Sequence, residues 1–85
     1  MPDTMHVTLI TAVDCHLCEE LKNALKRLAR ERPIDVEEVA WSDDAGRQLV
    51  NHDGVPFPPA LYVNGVFRGY GRFSERRLRH VLSQL

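Results

Sequence analysis

Val7-Thr8-Leu9-Ile10-Thr11-Ala12-Val13-Asp14-Cys15-His16-Leu17-Cys18 is the stretch on which the fold turns. Its first five residues are β-branched or otherwise apolar, the content of a buried strand. Asp14 then offers a turn or a helix N-cap, and two cysteines separated by two residues open a long amphipathic segment. Leu17, Leu21, Ala24, Leu25 and Leu28 recur there at spacings of three and four and make one apolar stripe. Glu19, Glu20, Lys22, Lys26, Arg27 and Arg30 fill the opposite face. The pattern predicts a helix from Cys15 to about Arg30, stopped by Pro33.

Downstream, Ile34-Asp35-Val36-Glu37-Glu38-Val39 roughly alternates apolar and acidic residues, as a strand with one wetter face would. Strand, helix and strand form a βαβ unit, with parallel strands and a right-handed crossover expected. Ser42-Asp43-Asp44 is placed to cap a short helix holding Ala45, Leu49 and Val50, although Gly46 counts against it. Leu61-Tyr62-Val63 and Val66-Phe67 flank Asn64-Gly65, the dipeptide best suited to positive φ at both central turn positions of a hairpin. Gly69-Tyr70-Gly71 leads out of that hairpin. Ser74 then caps a final helix whose Leu78, Val81, Leu82 and Leu85 face one way. The order β-α-β-(α)-β-β-α predicts an α/β fold, with a mixed four-stranded sheet covered by helices on both faces. Residues 1–85 make a single domain on this reading, expected to be a monomer.

Composition narrows the function. Net charge is −1 and the sequence pI about 6.4, so no global basic signature for nucleic acid is present. The charge is unevenly placed: five arginines against Glu75 give +4 between Arg68 and His80, leaving −5 for the remainder. The bland reading of Arg72, Arg76, Arg77 and Arg79 is a solvated face. The sharper reading is a patch that steers an acidic protein partner. No run approaches the ~18 apolar residues of a membrane span, and Met1-Pro2-Asp3-Thr4 does not begin a basic leader. The expected compartment is therefore the cytoplasm, where thiols are kept reduced and a close cysteine pair is redox-active or metal-binding more often than a staple.

Placed at a helix start, Cys15 meets unpaired N–H groups and the positive end of the helix dipole, which favour thiolate over thiol. Cys15 is then the expected nucleophile on a substrate disulfide. Cys18, one turn on, is expected to attack the resulting mixed disulfide and leave a Cys15–Cys18 bond. A purely structural role is weak, because so small a loop removes little entropy from the unfolded chain. Thiols that merely fill space are a second bland reading. The alternative from another class is a metal or iron–sulfur binding module, although His6, His16, His52 and His80 show no finger-like spacing and further ligands would come from outside the chain. His16 is placed either to add positive charge beside Cys15 or simply to face solvent. Leu17 is expected as exposed apolar surface where a protein partner could rest.

These residues resemble the thioredoxin-fold superfamily, and most of all its glutaredoxin branch. The resemblance is carried by the strand running into Cys15-His16-Leu17-Cys18, and by Pro59-Ala60-Leu61-Tyr62-Val63-Asn64-Gly65 followed by the Gly69–Gly71 turn. It implies a thiol–disulfide oxidoreductase with Cys15 and Cys18 catalytic, and His16, Leu17, Pro58, Pro59, Gly69 and Tyr70 in contact with substrate. It implies a cis Pro58–Pro59 bond ahead of the third strand, with the other X–Pro bonds of Val55-Pro56-Phe57-Pro58-Pro59 trans. No bound cofactor is expected, with glutathione or a thioredoxin-reductase-type system as reductant and protein or low-molecular-weight disulfides as substrates. The chain also departs from the glutaredoxin pattern. Ala12 and Val13 stand where a basic residue helps hold the glutathione carboxylate. Pro58, which has no N–H, stands where a valine backbone pairs with substrate. Arg72 stands where an acid meets the glutathione amine. Ser74, at a helix N-terminus, can still receive a carboxylate.

Overall fold

The computed structural model describes residues 4–83. β1 (Met5–Thr11), α1 (His16–Leu28), β2 (Ile34–Ala40), α2 (Asp44–Asp53), β3 (Ala60–Val63), β4 (Val66–Tyr70) and α3 (Glu75–Leu82) follow one another along the chain. The four strands form one sheet in the order β2-β1-β3-β4. β1 runs parallel to β2 and antiparallel to β3, and β3 and β4 close the expected hairpin, with Asn64 at φ 50° and Gly65 at φ 81°.

The pleat divides the core in two. Val7, Leu9, Leu61 and Val63 point to one face, where they meet Leu21, Leu25 and Leu28 of α1 and Leu78, Val81 and Leu82 of α3. Ile10, Ala60 and Tyr62 point to the other, where Val50 of α2 and Val55 cover them and Trp41 and Phe67 pack at the margin. Helices therefore lie on both faces. Ser74 caps α3 as its residue type predicts, its Oγ accepting from the Arg77 N–H at 3.1 Å.

The structure corrects several boundaries and faces. α1 begins at His16, because Cys15 is the extended N-cap residue rather than the first helical one. It ends at Leu28, and Arg30 and Glu31 continue only as tight turns bonded to the Arg27 and Leu28 carbonyls before Pro33. In α2 the inward residues are Gly46 and Val50; Ala45 is exposed and Leu49 is 37% exposed. Gly46 is what the packing requires, since a Cβ there would collide with the Ala40 carbonyl oxygen. Within Ser42-Asp43-Asp44 it is Asp43 that stands at the N-cap of α2, and it makes no side-chain capping bond. Gly69 and Tyr70 end β4 instead of leading out of it. The β3–β4 register shifts so that Leu61 faces Gly69 and Tyr62 faces Phe67, leaving Arg68 as the bulged residue. Leu85 lies outside the described residues.

Candidate redox site

The site begins where β1 stops. After Thr11 the chain turns through Ala12, Val13 and Asp14, and Asp14 adopts φ 54°, a left-handed conformation that Asp tolerates better than most residues. Asp14 thus fills the turn role expected of it and leaves the cap to Cys15. The Cys15 Sγ accepts the Cys18 backbone N–H at 3.1 Å, as a capping oxygen would. Cys15 and Cys18 are joined by a disulfide, with Cα atoms 5.2 Å apart. Their surroundings differ. Cys18 is 1% exposed within the α1 layer, whereas Cys15 is half-buried and lines a recess with Asp14, His16 and Glu19.

His16 is exposed and turned along its own helix, its Nε2 2.8 Å from Glu20 Oε2. Glu20 in turn lies 3.9 Å from Arg72 Nη1. The ring is therefore turned to a carboxylate one helical turn on. Leu17 is half-buried, not the exposed apolar surface expected of it. Val13, 90% exposed, is the apolar side chain offered to solvent beside the cysteines.

The Pro58–Pro59 bond is cis, and it is the one cis bond among the described residues. Pro59 is buried and its carbonyl accepts the Gly71 N–H at 2.7 Å. The Phe57 ring meets Tyr70 edge to face at 5.2 Å and lies against Gly71, where a Cβ would approach within 3.2 Å. These contacts set Pro59 and Phe57 against the Tyr70–Gly71 end of β4, with Pro58 half-buried between them in sequence and Gly69 paired across the sheet with Leu61. Ala60, next to Pro59, pairs with Ile10 of the antiparallel β1, so the proline turn and the CxxC turn occupy the same end of the sheet. Gly69 sits at φ 130°, and a Cβ there would come within 2.8 Å of Arg77 Nη2.

The basic face is less open than its sequence implies. Arg79 makes two bonds of 2.9 and 2.8 Å to Glu31 and a third, of 3.3 Å, to Glu75. Arg77 lies over the Phe73 ring, 4.4 Å from its centroid.

Sequence reading also missed a polar cluster beside the cysteines. The Thr11 hydroxyl donates to Glu38 Oε2 at 2.6 Å, and Lys22 reaches Glu38 at 3.4 Å and Glu19 at 2.9 Å. The Thr11 hydrogen bond, aided by Lys22, outweighs partial burial and holds the Glu38 carboxyl below the usual carboxylate range. The Glu19 hydrogen bond raises Lys22 above its ordinary value. The available signal was Glu37-Glu38, where β2 breaks strict alternation and turns a carboxylate toward α1.

Among the described residues no group of three or more His, Cys, Asp and Glu side chains is arranged to hold a metal ion, and no helix is long and apolar enough to cross a membrane. No protein-family model and no curated protein matches the chain. Solved structures do. Oxidised thioredoxin O2 from Arabidopsis thaliana superposes with a TM-score of 0.71 at 22% identity, over 95% of this chain and 74% of that one. A malarial protein gives 0.70 at 18% identity, covering 96% and 97%. Glutaredoxin 1 from Francisella tularensis, solved with cacodylate, gives 0.66 at 18% identity, covering 94% and 99%. The strand order, the CxxC turn and these superpositions agree that the chain has a thioredoxin/glutaredoxin-like fold.

Proposed function

We propose that this protein is a thiol–disulfide oxidoreductase in which Cys15 attacks and Cys18 resolves. The observation that carries the reading is the asymmetry of the pair: a half-buried cysteine at the helix N-cap, lining a recess, bonded to a buried one a turn later. In the reduced protein the Cys18 N–H and the helix dipole stabilise a Cys15 thiolate. That thiolate attacks one sulfur of a client disulfide; the client S–S bond breaks, a client thiolate leaves, and a mixed disulfide forms. Cys18 loses its proton to solvent and attacks Cys15 Sγ. The mixed disulfide breaks, the second client thiolate leaves, and the Cys15–Cys18 bond seen here forms. Two electrons have passed to the client, whose thiolates take up protons from water. Two external thiols, from two glutathione molecules that leave as their disulfide or from the dithiol of a thioredoxin-reductase-type system, return the pair to the reduced state. Ala12-Val13, the missing N–H of Pro58 and the positive Arg72 all weigh toward protein disulfides over glutathione.

The test is a redox titration of untreated protein across glutathione ratios, with free thiols alkylated and counted by mass. The expected result is one two-electron transition, confined to Cys15 and Cys18, between about −270 and about −120 mV. Thiols that alkylate freely at every ratio and never pair would overturn the proposal, as would thiols protected from alkylation until a chelator is added.

A further inference from the structure

Next to the recess at Cys15 runs an open groove of about 580 Å³, and the two share Asp14 and Glu19. It is lined by Ala12, Val13 and Trp41, with Ala40 and Ser42; the Trp41 backbone N–H donates to the Thr11 carbonyl at 2.6 Å and fixes the chain there. Three carboxylates line it, Asp14, Glu19 and Glu38, against the single ammonium of Lys22. The lining thus carries a net charge of −2, and Lys22 is already committed to both glutamates. Asp14 has no ion-pair partner among the described residues.

A groove that joins an indole and an aliphatic wall to an excess of carboxylates over ammonium suits one kind of side chain, a long apolar stem with a cationic head. The indole face attracts such a head through its quadrupole, and the carboxylates attract it by charge. An anionic ligand meets repulsion on the same path. We propose that this groove selects disulfide clients carrying Arg or Lys close to the reacting cysteine, the cationic side chain lying on Trp41 and Ala12 with its head between Asp14 and Glu19. The proposal rests on the oxidoreductase reading for its biological use, but occupation of the groove stands apart from the chemistry.

Three peptides alike except for Arg-Arg, Gln-Gln or Glu-Glu beside one cysteine, each as a mixed disulfide with 2-mercaptoethanol, give the rate test against reduced protein. At low salt the Arg peptide is expected to react roughly five- to tenfold faster than the Glu peptide, the order of one cation–π contact with a surface ion pair. In 0.5 M salt the ratio should fall to within about twofold, since screening then acts over a few ångströms. Glu19→Lys, which brings the net charge of the lining from −2 to zero, should shrink the ratio to within about twofold even at low salt. Trp41, the sole tryptophan, supplies a readout free of redox chemistry. With serine in place of the peptide cysteine, the Arg peptide should titrate Trp41 fluorescence at lower concentration than the Glu peptide. Discrimination by Trp41 without reduction of any peptide would sink the redox reading and keep the groove. Equal reduction of all three, with Trp41 indifferent to charge or silent, would sink the groove and keep the redox reading.

Discussion

Two sulfurs a helical turn apart have unequal surroundings, and most of the chemistry follows from that difference. The buried Cys18 can reach only Cys15, whereas Cys15 faces the recess. Cys15→Ser is therefore expected to abolish disulfide reduction altogether. Cys18→Ser should still attack and then stall, accumulating a mixed disulfide on Cys15 visible as an adduct by intact mass under non-reducing conditions. Pro58→Val restores a backbone donor beside the cis bond and should raise turnover in a glutathione-coupled assay; no gain would mean that the missing N–H is not what limits the site. The cysteine pair was legible from its spacing, whereas the cis bond at Pro59 came only from the family that the surrounding block resembles; the residues alone fit an all-trans loop equally well. The orientation of His16 toward Glu20 is an i,i+4 pairing that spacing permits but does not choose, because a residue at a helix start can equally turn to solvent.

Among the elements, α2 shows where periodicity misleads. A stripe of Ala45, Leu49 and Val50 looks like an inward face, yet the helix approaches β2 so closely that only a residue without Cβ fits against Ala40. The backbone approach decides the rotation of the helix, and no hydrophobic pattern records it. Gly46→Ala improves helix propensity by under about 1 kcal/mol but drives a methyl into a backbone carbonyl that cannot swing aside. A net loss of about 1–3 kcal/mol in urea unfolding is expected, with α2 the first segment to lose amide protection in hydrogen exchange. The hairpin turn, the existence of α1 and the start of α3 were legible, bounds apart, because each carries its own local signal: Asn64-Gly65, the leucine stripe, and Ser74 ahead of Leu78.

Across the whole molecule, α1 and α3 are tied together at the surface as well as in the core. Arg27 pairs with Glu75, Glu75 with Arg79, and Arg79 with Glu31, while Arg32 donates to the Leu82 carbonyl. Hydrogen bonding from Arg79 holds the Glu31 carboxyl below its ordinary value, and Arg27 does the same for Glu75. A depressed carboxyl adds stability above the ordinary carboxylate range, and that contribution is lost as pH falls through the folded-state value. Arg79→Met should therefore unfold at lower urea than the parent at pH 7, and the gap should close in acid. The Glu31 titration, followed by carboxyl NMR, should move up in the variant; an unmoved titration would show the pairing to be energetically idle. This lattice escaped sequence reading, because its partners lie 48 residues apart and only the packing of α3 on α1 brings them together.

The strand order has a consequence for how the chain comes into being. β1, made before the other three strands of the sheet, lies between β2 and β3, so one of its edges and much of its apolar surface await a hairpin made far later. While α1 and β2 emerge from the ribosome, Ile10 and the open edge of β1 have no native cover, and the nascent half-sheet is a surface for chaperones or for other chains. Completion depends on the last third of the chain, and a truncation that removes the hairpin would leave a sticky fragment in place of a smaller domain.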